Sequence, residues 1–346
     1  MSSVPPSKLV DAGPRVCVAL DEAHGHLSVI LVRAGCTAAV ATEVASHLVD
    51  ASASGVESHG IMRVLQYEDQ FRTGYMRPDA VARIVQTPRG ATEIDGGGGI
   101  GIPAMRLAVA HAVVQAKANA IAAVAVRNLG HTGRLGAYAE TAAEAGCVVI
   151  IIGGGGRENW RQVAPYGGRR AVLPTNPYCL AAPGGDRGPV VADFATSMLA
   201  GGWLYAARSA GARLPEGALI DSEGQPSNDP ADYFRGGAIL PRGGPMGYGL
   251  AVMAEMICEA MLGPATTEVN WLILALDSTR HREEATRHAV AEQILAELRA
   301  CPPVEGNAAV EVPGERERAR RAAAQRDGLQ IPERTWQQIL ARTMNE

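Results

Sequence analysis

Apolar positions in the first 75 residues repeat with the spacing of an α-helix. Between residues 21 and 34 they recur every three or four positions, and Gly35 follows as a typical helix-ending residue. Thr37 is a suitable N-cap for a second helix, and a third helical stretch covers residues 61–71. The pattern predicts a helical N-terminal lobe.

Beyond this lobe, short apolar runs alternate with helical patterns, which is typical of an α/β fold. Strands are predicted at 91–95, 121–126, 147–152 and 270–276. Helices are predicted at 103–118, 134–145 and 246–262. We expect a loose tail at 1–20, a helical lobe at 20–85 that packs with 265–346, and an α/β lobe at 86–264.

Composition narrows the possible partners. The 346 residues carry a net charge of −4, with 47% hydrophobic and 20% charged residues, which is typical of a globular protein and gives no support for a nucleic-acid partner. The first fifteen residues hold no apolar run, so neither a signal peptide nor a membrane anchor is predicted. The six cysteines are scattered without metal-ligand spacing, which indicates a reducing cytoplasm and no bound metal.

The segment Ser58-His59-Gly60-Ile61-Met62-Arg63 is the first candidate site. If a helix continues through it, His59 and Arg63 share one face, so that a proton-transfer group stands beside a carboxylate-binding arginine. A helix-terminal histidine satisfied by backbone groups is the structural alternative. A Ser58–His59 nucleophile pair is disfavoured, since adjacent helical residues do not face each other.

Two glycine runs follow predicted strands. Gly96 to Gly101 formally matches the G-x-G-x-x-G dinucleotide fingerprint, but no acidic residue follows the next strand, so a flexible loop is the preferred interpretation. Gly153 to Gly156 directly follows a buried strand, where ligands of α/β sheets gather and backbone without side chains can approach them.

Other polar groups also lie at predicted strand ends. His131, between glycines at the start of a helix, is suited to stay neutral, although a structural role is the common alternative. Asp193 follows a strand and can be an ordinary N-cap. Glu255 and Glu259 lie four residues apart on an apolar helix, where a polar stripe at an interface is favoured over a metal or catalytic pair.

Taken in order, several of these segments resemble the type 2 malate/L-lactate dehydrogenase family, which includes ureidoglycolate and sulfolactate dehydrogenases and piperideine-2-carboxylate reductases. The match extends from about residue 20 to about residue 340. Its motifs are Ser58 to Arg63, Gly130 to Gly133, Val163 to Gly168, Thr175 to Pro177, Asp193 to Ser197, Leu214 to Gly217 and Gly247 to Leu250.

The resemblance implies a homodimeric, NAD- or NADP-dependent oxidoreductase that acts on a small-molecule carboxylate. It also implies a non-Rossmann fold in which the cofactor-binding α/β lobe is inserted between helical N- and C-terminal segments. His59 then acts as the acid/base beside Ser58, Arg63 holds the substrate carboxylate, and His131 lies at the nicotinamide. The implied cofactor-binding residues are His131, Gly155, Gly156, Thr175, Asn176, Pro177, Asp193, Thr196 and Gly247.

The sequence departs from the family pattern at two positions where lysine is common, which here hold Trp203 and Met246. Losing each cation is expected to weaken an anionic contact by about 1–3 kcal/mol, unless Arg157 or Arg161 supplies the charge. We expect reduction of a 2-oxo acid or oxidation of a 2-hydroxy acid. A cyclic imine-carboxylate reductase and a non-catalytic small-molecule-binding relative are the alternatives.

Overall fold

In the computed structural model, the described residues are 14–210 and 212–344, and they form a mixed α/β fold. The helices are α1 (Leu20–Arg33), α2 (Ala38–Ala53), α3 (Arg63–Arg72), α4 (Gly101–Asn119), α5 (Leu135–Glu144), α6 (Gly201–Ala210), α7 (Pro230–Phe234), α8 (Pro245–Glu255), α9 (Glu284–Ala300), α10 (Glu315–Asp327) and α11 (Glu333–Met344). The strands are β1 (Arg15–Val18), β2 (Arg83–Gln86), β3 (Thr92–Gly99), β4 (Ile121–Leu129), β5 (Cys147–Gly154), β6 (Pro177–Gly185), β7 (Gly188–Ala195), β8 (Leu219–Ile220), β9 (Pro226–Ser227), β10 (Ala238–Ile239), β11 (Asn270–Asp277) and β12 (Leu329–Pro332).

The main sheet has seven strands in the order β2-β3-β4-β11-β5-β6-β7. Strands β3 and β4 run parallel, and the other neighbouring pairs are antiparallel. This mixed sheet confirms the non-Rossmann α/β fold. Helices α4 and α5 pack on it through a core that includes Met105, Tyr138, Ile151 and Ile273.

Strand β11 lies at the centre of this sheet, between β4 and β5. The expected grouping of residues 265–346 with the helical lobe is therefore wrong for this strand. Its alternate residues Trp271, Ile273 and Ala275 are buried, and they belong to the core of the sheet. Local sequence predicts a strand here, but the long-range pairing that places it in the sheet leaves no local signal.

The N-terminal helices pack with the end of the chain around a second core. Leu27, Leu48 and Tyr67 meet Trp336 and Ile339 there. Strand β1 pairs with β12, so its residues, which the sequence assigned to a loose tail, are ordered by strand pairing. Residues 1–13 lie outside the described residues. Helices α10 and α11 thus join the N-terminal lobe, whereas α9 contacts β6.

The glycine run Gly96–Gly99 belongs to β3, so the flexible loop expected there is wrong. A side chain at Gly96 would place its Cβ 2.7 Å from the Asn128 carbonyl oxygen of the neighbouring strand. Gly97 and Gly98 have positive φ angles, and the β3–β4 register shifts between Asp95 and Gly99. Glycine here permits close strand approach and a local irregularity in the pairing.

A third, smaller unit contains the three-stranded sheet β10-β8-β9 together with α6 and α7. Isolated bridges, such as Val163 with Leu173, lie next to this unit. The predicted apolar helix at 246–262 is α8 continued by a π-helical segment, Met256–Met261. No helix within the described residues is both long and apolar enough to cross a membrane.

Candidate functional site

The segment that carries Ser58, His59 and Arg63 is not a continuous helix. A 3-10 turn covers Glu57–His59, Gly60 is extended, and α3 begins at Arg63. A Cβ at Gly60 would lie 2.1 Å from the Ser52 hydroxyl oxygen, which accepts a hydrogen bond from the Ile61 N–H at 3.0 Å. The expectation of one helical face shared by His59 and Arg63 is therefore wrong.

Arg63 instead folds back over the turn that precedes its helix. Its Nε donates to the Ser58 carbonyl oxygen at 2.6 Å, and its Nη1 donates to Gln66 Oε1 at 2.5 Å. Both acceptors are neutral. No carboxylate in the described part of the chain forms an ion pair with this partly buried guanidinium. Gly202 leaves room beside it, since a Cβ there would be 3.1 Å from Nη2.

Two histidine rings meet beside this arginine. The His59 and His131 rings stack with centroids 5.2 Å apart and planes inclined by 26°. Ser58 Oγ lies 2.9 Å from His59 Nδ1, so the adjacent side chains do interact, contrary to the expectation from helical geometry. The 3-10 turn makes that contact possible. A hydroxyl in this position fixes the orientation of the His59 ring.

His131 is buried, and its hydrogen bonds define its protonation. The Gly133 N–H donates to Nδ1 at 3.2 Å, and the Tyr67 hydroxyl lies 2.6 Å from the same atom. Burial lowers the pKa of His131 well below its usual value, and the charges of Arg63 and His59 act in the same direction. A neutral ring whose Nδ1 accepts from backbone carries its proton on Nε2, where it can act as a donor.

His47 contacts the loop that follows His131. Its Nε2 accepts the Arg134 N–H at 2.9 Å, and its ring stacks on Tyr138 at 5.0 Å. Burial lowers the pKa of His47 to about 3, with Arg106 and Arg134 contributing. Neutral His47 is thus a packing residue, and it holds the backbone that follows His131.

The residues predicted to bind a cofactor largely converge at one end of the sheet. Gly155 and Gly156 follow β5, Pro177 begins β6, and Thr196 follows β7. The Thr196 N–H and Oγ1 donate to the Thr175 carbonyl oxygen at 3.2 and 3.0 Å. Asn176 Nδ2 lies 3.3 Å from the Gly153 carbonyl oxygen, and a Cβ at Gly247 would be 2.5 Å from the Thr196 carbonyl oxygen.

Several of these residues already have internal partners. A Cβ at Gly155 would lie 3.0 Å from the Cys258 carbonyl oxygen, and one at Gly156 would lie 2.3 Å from the Glu268 carbonyl oxygen, so protein backbone explains both glycines. Asp193 accepts the Gly136 N–H at 2.7 Å, at the start of α5. Burial raises the pKa of Asp193.

Glu255 lies inside this cluster, although the sequence suggested a polar stripe at an interface. It accepts hydrogen bonds from Gly155 N–H at 3.2 Å and from Asn176 Nδ2 at 2.5 Å. Burial raises the pKa of Glu255 to about 7. Arg157, considered as a replacement for the missing lysines, donates to Glu259 at 2.9 and 2.6 Å and is already paired.

Sequence inspection missed Glu268. Its carboxyl group is desolvated, and burial raises its pKa to about 7 while Arg63 acts to lower it. Its charge also acts on the hydroxyls of Tyr67 and Tyr75. No motif marks this glutamate, which stands in a short loop about two hundred residues after Arg63. Only the fold brings this carboxyl group within range of the Arg63 charge.

The chain is similar to known proteins along most of its length. The protein-family model described as malate/L-lactate dehydrogenase matches residues 18–340 of this chain. The chain is 31% identical to a Δ1-pyrroline-2-carboxylate/Δ1-piperideine-2-carboxylate reductase of Pseudomonas putida, over 93% of this chain and 95% of that protein. It is 32% identical to an L-lactate dehydrogenase of Cupriavidus necator, over 88% and 91% of the two chains.

A solved structure shows the same fold. Malate dehydrogenase from Entamoeba histolytica superposes with a TM-score of 0.87 and 22% identity, covering 95% of this chain and 97% of that one. The proteins in the sequence comparison are dehydrogenases and reductases. This chain therefore belongs to the malate/L-lactate dehydrogenase family and is an oxidoreductase.

Proposed function

We propose that the protein exchanges a hydride between a nicotinamide cofactor and C2 of a small 2-oxo or 2-hydroxy carboxylic acid. The main support is Arg63, whose partly buried charge is oriented by neutral oxygens of Ser58 and Gln66. An arginine held in this way can bind a carboxylate through two parallel hydrogen bonds. Such a contact fixes C2 of the substrate beside the two histidines.

His59 has the position required of the acid/base. In reduction it gives a proton to the substrate carbonyl oxygen, and in oxidation it removes the hydroxyl proton. Ser58 Oγ, 2.9 Å from His59 Nδ1, fixes the orientation of the ring from its Nδ1 side, and Nε2 is the nitrogen proposed for this transfer. The Nε2–H of neutral His131 provides a second donor whose charge state does not change near neutral pH, because burial lowers its pKa.

The second cluster has one feature that fits a nicotinamide cofactor. Asn176 is fully buried, and its Oδ1 has no hydrogen-bond partner among the described residues. An orphaned buried acceptor is costly, so a bound amide N–H there is favourable. Asn176 and neighbouring Thr175 would hold the cofactor near His131, and the cofactor, when bound, supplies the hydride at C4 of its ring. The proposal includes either NAD or NADP.

Cyclic imine-carboxylate reduction is a second candidate function. The Pseudomonas putida relative is named for this activity and aligns over nearly the whole chain. In the present protein, the acidic Glu268 beside Arg63 also favours it, because an iminium nitrogen is cationic. Both candidate reactions use the same hydride transfer and the same carboxylate contact.

The proposal is tested by cofactor binding followed by turnover. Fluorescence titration with NADH and NADPH should show saturable binding of at least one cofactor, and no binding of either at millimolar levels would contradict the proposal. With a 2-oxo acid, His59→Gln should lower kcat about 100- to 10,000-fold while leaving cofactor affinity nearly unchanged. His24→Gln, at a half-buried position on α1 outside the proposed site, is the control. Undiminished turnover by His59→Gln would remove His59 from the mechanism.

A further inference from the structure

The side-chain amide of Asn176 is buried, and the protein satisfies only part of it. Asn176 stands directly before β6, with no exposed surface and a φ angle of 39°, a left-handed conformation that asparagine adopts more readily than most residues. A buried amide needs partners for two N–H groups and for one carbonyl oxygen. The contacts around Asn176 show which of these needs the protein leaves open.

Two acceptors determine the orientation of this amide. Asn176 Nδ2 lies 2.5 Å from Glu255 Oε1 and 3.3 Å from the Gly153 carbonyl oxygen. A backbone carbonyl cannot donate, so the amide atom between these two oxygens has to be the nitrogen. Both Nδ2 protons are then used within the protein. Oδ1 is left as an acceptor with no hydrogen-bond partner among the described residues.

Glu255, the last residue of α8, is itself held in place for this contact. The Gly155 N–H donates to its Oε1 and Oε2 at 3.2 and 3.1 Å. Its carboxyl group also hydrogen-bonds Glu259, which pairs with Arg157 at 2.6 Å. A carboxyl group carries its proton on one oxygen at a time, so a proton on the Oε2 atom leaves Oε1 able to accept. The contact with Asn176 therefore does not require a charged Glu255.

The opposite orientation of the Asn176 amide is unfavourable as long as Glu255 is present. Turning the amide by half a rotation would place Oδ1 against the oxygens of Glu255 and Gly153 and would break both hydrogen bonds. The contact with Glu255 is the shorter of the two, and the contact with Gly153 is long for a hydrogen bond. Glu255 is therefore the residue that mainly decides which amide atom stays open.

We propose that Glu255 is a positioning residue that, through Asn176, makes the site select a ligand with a carboxamide N–H over one with a ketone in the same place. This inference rests on the proposed function, in which the nicotinamide ring carries that carboxamide. A carboxamide donates to the open Oδ1. A ketone of the same shape has no proton to donate, so it leaves Oδ1 buried and unpaired.

The test compares the calorimetric affinities for NAD and for its 3-acetylpyridine analogue, which has a methyl ketone in place of the carboxamide. If only NADP binds, the corresponding NADP pair is used. The parent protein should bind the carboxamide form about 10- to 100-fold more tightly, the range for one buried hydrogen bond. Glu255→Met removes the acceptor at similar size, so the Asn176 amino group can turn toward the ketone and most of the preference should be lost. Glu255→Gln keeps an acceptor oxygen and should keep the preference. Glu144→Met, exposed at the end of α5, is the matched control.

Both ligands are measured on the same variant, so a general loss of stability does not change their ratio. An unchanged ratio in Glu255→Met would overturn the proposal, and so would an equal loss in Glu255→Gln, which would indicate an effect of charge.

A measurement without ligand separates failure of this inference from failure of the proposed function. In protein labelled with [15N]asparagine, the Asn176 amide signals are identified by their absence in Asn176→Ser. The Nδ2 proton that is donated to Glu255 should resonate downfield in the parent protein and in Glu255→Gln, and it should move upfield in Glu255→Met. A signal that does not move in Glu255→Met would overturn the role of Glu255. Absence of binding by every dinucleotide would count against the proposed function.

Discussion

Arg63 and Arg157 differ in the groups that hold their positive charges. Arg63 donates to a backbone carbonyl and an amide oxygen, both neutral. Arg157 donates to both carboxylate oxygens of Glu259 and lies 3.8 Å from Glu255. Arg63 therefore forms no ion pair within the described residues, whereas the charge of Arg157 is balanced by direct carboxylate contacts.

This contrast separates ligand-binding charge from structural charge. A partly buried cation without a carboxylate partner is unfavourable until an anion binds. A cation that is already paired with a carboxylate contributes to the fold and binds an anionic ligand less strongly. We accordingly propose that the Arg63 region binds the substrate, and Arg157, already paired, does not replace the positive charges that Trp203 and Met246 lack.

Placing a carboxylate beside Arg63 should remove this difference between the two arginines. Gln66→Glu places an acid at the acceptor that now lies 2.5 Å from Nη1. Because the new anion competes with the substrate, KM for a 2-oxo acid should rise about 10- to 100-fold with little change in stability. Steady-state kinetics measures this effect, with Gln325→Glu on exposed α10 as the control. An unchanged KM would mean that the Arg63 charge is not used for binding.

At the other end of the site, a change in packing should affect stability. Gly247→Ala would bring Cβ within 2.3 Å of the Arg242 carbonyl oxygen and 2.5 Å of the Thr196 carbonyl oxygen. Overpacking of this kind costs about 1–3 kcal/mol of unfolding free energy. Two residues later on α8, Gly249 has nothing within 4 Å of a Cβ, so Gly249→Ala should stabilise by about 0.5–1 kcal/mol. Urea unfolding of both variants measures the difference, and equal effects would contradict the packing.

His47 should produce the smallest effect, and only below neutral pH. Its folded pKa is about 3 and its unfolded pKa is near 6.5, so the unfolded chain binds the extra proton in between. This histidine therefore lowers stability as pH falls below 6.5, by about 1 kcal/mol between pH 7 and 5.5. His47→Gln keeps an acceptor for the Arg134 N–H without titrating. Its urea midpoint should fall less over that interval than the parent's, and a parallel decline would exclude this titration.

The sequence predicted the elements better than it predicted their partners. Helical spacing located α1 and α2, and apolar runs located β4, β5 and β11, because burial leaves a local periodic signal. It could not place β11 between β4 and β5, since strand pairing is decided by contacts across more than a hundred residues. It also missed the break at Gly60, which depends on the position of the Ser52 hydroxyl.

The site shows the same division. Ordered motifs indicated His59, Arg63 and His131, and the structure brings these residues together. The same motifs could not reveal that Asp193 bonds the start of α5, or that Glu255 is buried against Asn176. Glu268 left no signal, because the influence of Arg63 on it depends on the fold. The order of residue types along the chain predicts a reaction class. The balance of charges around each residue can be read only from the structure.

The central claim is that Arg63 binds the carboxylate of the substrate, and a double comparison tests it most directly. Turnover of pyruvate and of its uncharged amide, pyruvamide, is measured in the parent protein and in Arg63→Ala. The parent should prefer pyruvate about 1,000-fold in kcat/KM, the value of two charged hydrogen bonds, and Arg63→Ala should lose most of that preference by losing activity on the acid alone. Equal losses on acid and amide would contradict the assignment.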